Sequence, residues 1–290
     1  MRLNLAFGAR TGMDRILFCD TNIIRYILDT PNACARFTGF LRDEGLLHAI
    51  SLIQVTELLR LPRYHGPLAQ LVFEADSFFL DWWKGIIYEE AQAYPQTNRV
   101  EVLSRPSIRS HYPGSHGPDD LRRALAGKDL ELLWTEFEDQ KVRYKPVMDW
   151  LPSTLPRSRT KRSIDVDFSL HNYGVVLTVL RDVAPEFVEV VKVDPEAFMP
   201  TLFRGAYLHA AYNYYRFILK GMRSQPSDVM DVHQVFYVPY CAMVITEKSM
   251  AGLFSQLKKD RSLIDTVQIQ SMRYARSAFG PKAGFPRRFP

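Results

Sequence analysis

Four acids in this chain stand where acids do chemistry rather than pack. Asp20 ends the run Arg15-Ile16-Leu17-Phe18-Cys19 and is followed at once by a hydroxyl and an amide, Thr21 and Asn22. A short, uninterrupted apolar run reads as a strand buried on both faces. Asp20 therefore lies at the carboxyl end of a strand, the edge at which open α/β sheets hold their ligands. Glu247 repeats the device after Met243-Val244-Ile245-Thr246. Glu57 lies on an otherwise apolar helix, 52–59, entered from a second apolar strand at 46–51. Asp228 opens a late helix, and Asp231, three residues on, shares its face. Carboxylate oxygens are the donors that Mg²⁺ and Mn²⁺ prefer. A cation held this way can neutralise a phosphate, generate a nucleophilic water and assist a leaving oxygen. Thr21, Asn22, Thr246 and Asp231 are placed to orient the acids. Each acid also has a plainer use. Asp20 and Asp228 are of the type that caps a helix N-terminus, and Glu57 has Arg60 and Arg63 within reach along its helix.

In their order along the chain, Asp20-Thr21-Asn22, Glu57, Asp228 and Thr246-Glu247 resemble the acid set of the PIN-domain (PIN-like) nucleases. The first acid follows the first strand, the second lies in the following helix, the third opens a late helix and the fourth follows the next strand. The resemblance covers residues 14–60 and 225–270. It implies a three-layer α/β/α domain with a central parallel sheet, Mg²⁺ or Mn²⁺ as cofactor, and hydrolysis of RNA phosphodiester bonds. Asp20, Asp228 and Glu247 would hold the metal, with Glu57 reaching in from its helix as the fourth catalytic acid. Two positions depart from the family pattern. The fourth acid is usually Asp and here is Glu247, and a further Asp often precedes that strand where this chain has Ala242. These departures favour an alternative, a catalytically weakened nucleic-acid-binding or scaffold protein. A third reading is a defence- or toxin-type nuclease gated by a protein partner.

The elements that must position these residues come from both ends of the chain. After Asn22 a helix runs to Pro31, and a second helical piece, 34–44, closes at Gly45, a residue type suited to a helix C-cap. Residues 68–92 read as one apolar, aromatic helix through Phe73, Phe78, Phe79, Leu80, Trp82 and Trp83. Residues 94–118 read as a loop and 119–150 as helix. The stretch 152–163 carries Arg157, Arg159, Lys161 and Arg162 between prolines and serines. It is read either as a flexible phosphate-contacting loop or as a solvated linker. Helix resumes over 168–193, broken at Pro185, and again over 205–219, rich in tyrosine and ended by Gly221. The last third returns to α/β alternation: a helix from Asp228, the strand before Glu247, a helix through Leu253 and Leu257, and a final strand at 266–270. The tail from Tyr274 reads as irregular. The expectation is a PIN-like α/β domain from residues 1–64 and 206–290, with 65–205 forming a mainly helical insertion packed on it.

Bulk properties agree with that picture. The 290 residues are 47% hydrophobic, enough for a substantial core. A net charge of +5 and a pI near 9.0 permit a polyanionic partner such as RNA or another single-stranded nucleic acid. Three cysteines show no metal-ligand spacing and suit a reducing compartment. No apolar stretch has the form of a signal sequence or the length to span a bilayer, so the expected setting is the cytoplasm, away from membranes. A homo-oligomer or a regulatory partner is compatible with the size of the insertion. Phosphate-binding glycine loops, the esterase Gly-x-Ser-x-Gly and the His-Glu-x-x-His zinc motif are absent from the sequence.

Overall fold

The computed structural model describes residues 15–94, 103–104, 114, 116–126, 134–135, 138–139, 142, 160–195, 198–222, 225 and 228–281. Its centre is one six-stranded sheet. The strands are β1 (Ile16–Cys19), β2 (Leu47–Ser51), β3 (Phe78–Leu80), β4 (Leu103–Ser104), β5 (Met243–Thr246) and β6 (Gln268–Ser271), in the order β4-β3-β2-β1-β5-β6. Neighbours are parallel from β3 to β6, and β4 alone runs antiparallel at one edge.

β1 shows why its sequence is apolar at every position. It sits between β2 and β5, with Phe18 opposite both Ala49 and Val244. Ile16 and Phe18 enter one core, while Leu17 and Cys19 enter another on the opposite face. A strand covered on both sides has no polar face to display, and the result is three layers, helix on sheet on helix.

One face is covered by α1 (Thr21–Asp29), α2 (Ala33–Glu44), α3 (Leu52–Leu59), α4 (His65–Glu74), α6 (Pro118–Ala126) and α12 (Met272–Phe279). The other is covered by α5 (Trp83–Ala93), α7 (Lys161–Val183), α8 (Pro185–Val193), α9 (Arg204–Asn213) and α11 (Lys248–Arg261), with the turns around them. α10 (Asp228–Gln234) runs into a 3₁₀ segment, Val235–Tyr240, that packs on this second face. α1 buries Ile23, Ile24 and Ile27, at roughly 1.5–3 kcal/mol each. That docking fixes the first turn, where Thr21 and Asn22 lie.

The caps follow the sequence. Gly45 takes the left-handed conformation at φ 63° and turns its N–H back onto the carbonyls of Arg42 and Leu41. α3 opens with a reciprocal capping box between Ser51 and Gln54.

Several expectations need correction. The helix expected over 68–92 is two helices with β3 between them, because Phe78-Phe79-Leu80 pairs in parallel with Ala49-Ile50-Ser51. The stretch 65–205 is mainly helical where described, but it also supplies two strands to the central sheet. The basic stretch is helical from Lys161 onward, since Thr160 caps α7 by accepting from the N–H of Ser163. Lys161 and Arg162 thus begin a helix, whereas Arg157 and Arg159 lie outside the described residues. The helix expected over 205–219 changes pitch at Tyr214 and continues to Leu219 as a π-helical turn. The start of the tail is not irregular, because Met272–Phe279 forms α12 and anchors Ala275 and Phe279 in the core. No helix among the described residues is long and apolar enough to cross a membrane.

Candidate functional site

The chain leaves the sheet in opposite directions at two adjacent strands. After β1 it turns into α1 on the first face, and after β5 it turns into α11 on the second. β2 and β3 build outward on one side of β1, and β5 and β6 on the other. β1 and β5 therefore flank the topological switch point, where diverging loops open a crevice at the carboxyl ends of the strands. Asp20 and Glu247 are the first residues beyond those two ends, and the Asp20 N–H donates to the Ile245 carbonyl at 2.9 Å.

Asp20 is 6% exposed. One carboxylate oxygen accepts from the N–H of Asn22 at 2.8 Å, so the side chain does cap α1. The other accepts from the Thr246 hydroxyl at 2.8 Å and the Glu247 N–H at 3.4 Å. Capping is thus one of two uses of the carboxylate, and both of its oxygens are held by donors of the chain itself. Asn22 donates through its side-chain amide to Glu247 Oε1. Thr21 donates its hydroxyl proton to Glu57 Oε2 at 2.6 Å and accepts from Gln234 Nε2 at 3.4 Å. Gln54 donates to the Cys19 carbonyl, tying the start of α3 to the end of β1. Asp20, Asn22, Thr246 and Glu247 are thus joined by direct hydrogen bonds, and Thr21, Glu57 and Gln234 form a second set beside them.

Asp228 and Asp231 form an adjoining group around Arg216, which projects from the π-helical turn. Arg216 Nη2 donates to Asp228 Oδ1 at 2.6 Å, and Nη1 lies 3.9 Å from Asp231 Oδ2. The second oxygen of Asp228 accepts from the Gln225 N–H at 2.8 Å. The link between the two groups is electrostatic. Asp231 is pushed up to about 7, first by partial burial and next by the charge of Asp20, with Asp228 and Glu247 adding to it and Arg216 opposing. Like charges collected in one place favour the protonated acid, and they equally favour an arriving cation.

These residues fit a hard cation in donor type and charge. Their spacing does not complete a metal site: among the described residues, no three His, Cys, Asp or Glu side chains stand together at metal-binding distance. No family model matches the chain, and neither a curated protein nor a solved structure does.

Three participants escaped the sequence reading. Arg216 is a single base in a tyrosine-rich apolar stretch, and its spacing carries no signal. Gln54 and Gln234 act through side-chain amides whose partners lie far along the chain. His233, on the same helix as Asp231, stacks on Trp83 at 5.1 Å between ring centres and is buried. Asp231 feels the charges of Asp20, Asp228 and Glu247 together.

Proposed function

We propose that the chain is a PIN-like, Mg²⁺- or Mn²⁺-dependent endoribonuclease that hydrolyses RNA phosphodiester bonds at the β1–β5 crevice. The observation that carries this reading is the meeting of Asp20 and Glu247 at the switch point, with Glu57 bound to Thr21 and the charge of Asp231 felt from the same place. Asp20 and Glu247 would hold the cation, with Asp231 and Asp228 beside it. When bound, it would supply charge neutralisation on the phosphate and a water of lowered pKa. The chain's own part is positioning. Thr246 and two backbone N–H groups fix the Asp20 carboxylate, the Asn22 amide fixes Glu247, and the Thr21 hydroxyl fixes Glu57. Such preset donors leave little reorganisation for the reaction itself.

The test is cleavage of mixed RNA and DNA in EDTA, Mg²⁺ and Mn²⁺, beside Asp20→Asn. Metal-dependent RNA cleavage that the variant loses is the expected result. Cleavage that survives EDTA, or is unchanged in Asp20→Asn, would sink the reading. Two observations favour a second reading, RNA binding without cleavage. Arg216 already occupies Asp228, and Ala242 stands where the resembled family often has an acid. RNA retention without cleavage in either metal would select that reading.

A further inference from the structure

Helix α7 runs for 23 residues and is apolar on two opposite sides. Phe168, Val176 and Leu180 are buried in the core. Val166 and Leu170 face the other way and are 52% and 67% exposed. A surface helix ordinarily turns its polar residues outward, and one that is apolar all round is covered all round. The outer face has a repeat of its own. Ser163, Asp167, Leu170, Gly174, Leu177 and Arg181 follow one another at alternating steps of four and three, the spacing of a seam between paired helices. Gly174 lies in mid-helix, where glycine costs about 1 kcal/mol relative to alanine. A Cβ there would meet nothing within 4 Å, so no neighbour among the described residues requires the glycine. The hydroxyls of Ser163 and Thr178 donate back to the carbonyls of Thr160 and Gly174 at 2.9 and 2.8 Å, which leaves this face little polar surface of its own.

We infer that this face pairs with the same face of a second copy of the chain, the two α7 helices running antiparallel about a two-fold axis at Gly174. In a two-fold contact the patch must complement itself, and the charges here do so. Asp167 lies one heptad before Gly174 and Arg181 one heptad after it, about 10 Å from the axis on either side. Antiparallel pairing sets Asp167 of each copy against Arg181 of the other, twice over. Parallel pairing in register would set like charge on like charge. Between the charged ends and the axis, Leu170 of each copy meets Leu177 and the Thr178 methyl of the other, and both leucines leave water. At the axis itself, glycine lets the two backbones approach closely. The surface ion pairs add little attraction; their work is to fix direction and to exclude wrong partners, since juxtaposed like charges are strongly unfavourable. The pairing is independent of the chemistry at the β1–β5 crevice.

The experiment is sedimentation equilibrium of the full chain over a concentration series, beside Leu170→Glu, Asp167→Arg and Arg181→Asp. None of the three positions is buried, and circular dichroism checks the fold of each variant. The expected result for the unmodified protein is a dimer, twice the 33.5 kDa of one chain. Each variant alone should raise the dissociation constant of the dimer at least about tenfold. An equal mixture of Asp167→Arg with Arg181→Asp should bring the dimer back, because one copy then offers two positive ends to the two negative ends of the other. A monomeric unmodified chain overturns the inference. So does an assembly that keeps its full mass in Leu170→Glu, which would place the contact elsewhere. Charge variants that stay dimeric singly, or stay monomeric when mixed, overturn the antiparallel pairing at Gly174, and they decide this without recourse to Leu170→Glu.

Discussion

Glu90 lies far from the crevice, and it makes the stability of the protein depend on pH in a way that one substitution isolates. The residue sits on α5 and is 4% exposed. Its Oε1 accepts from the Gly205 N–H at 2.7 Å and from the Tyr240 hydroxyl. Gly205 is glycine for a reason: a Cβ there would meet the Phe236 carbonyl oxygen at 2.9 Å. The other carboxyl oxygen has no partner among the described residues. Burial pushes Glu90 up from 4.5 to about 7, against the hydrogen bonds from Tyr240 and the backbone and the charge of Arg204. Because the folded value is raised, the folded state keeps a proton that the unfolded chain has released between those two values. The resulting stability is fully present below about pH 4.5 and is lost as pH rises through 7. At 1.36 kcal/mol per pKa unit, integration from pH 5 to pH 8 gives a loss of about 2–3 kcal/mol. Glu90→Gln keeps the shape and the accepting oxygen but does not titrate. Urea unfolding of both proteins at half-unit steps from pH 5 to pH 8 gives the difference in ΔG, in which every other titrating group cancels. That difference should shrink or change sign by the stated amount as pH rises. A difference that stays flat would refute the account of Glu90 as a buried, proton-holding acid.

Asp20→Asn should lower metal-dependent RNA cleavage at least about tenfold, or roughly 1.4 kcal/mol. It should also move the Asp231 titration downward, since Asp20 is the strongest charge holding it up; carboxyl-carbon NMR that shows Asp231 unmoved would separate the two residues. Asn172 is fully buried on the stripe Phe168, Val176 and Leu180, and neither of its amide atoms has a partner among the described residues. Asn172→Leu should therefore raise unfolding free energy by about 1–3 kcal/mol in urea titration, and a loss would show that the amide is satisfied. Cys34 is pushed up to about 12 by burial and then by Glu74. Its alkylation by iodoacetamide at pH 8 should be far slower than that of free glutathione, and equal rates would contradict the half-buried setting beside Glu74.

Legibility from sequence followed element length and locality. β1 and β5 were plain because four apolar residues end on an acid in one and three end on a hydroxyl and an acid in the other, and both are buried throughout. β3 was hidden because three residues are too few to show a period, and the aromatic residues around them resemble a helix face. Its strand character comes from pairing with β2, a tertiary fact. Within the site, Asp20 and Thr246 declared themselves by position, whereas Arg216 depends on a widened turn that composition does not announce. The end of the basic stretch was misread because Pro152 and Pro156 suggested an unbroken loop, while Thr160 supplies a cap that starts a helix at once.

The seat of β1 between β2 and β5 sets an order of events during synthesis. The Asp20 carboxylate and the Thr246 hydroxyl that holds it are 226 residues apart. A ribosome adding about 5–20 residues per second needs on the order of 10–50 s to cover that separation. Throughout that interval β1 has only β2 beside it, and one side of the strand waits with its amide and carbonyl groups unpaired. Pairing across so long a separation is intrinsically slow. A nascent chain stalled before Met243 therefore holds the amino-terminal acids without the strand that assembles them, and the crevice cannot exist until β5 has been made.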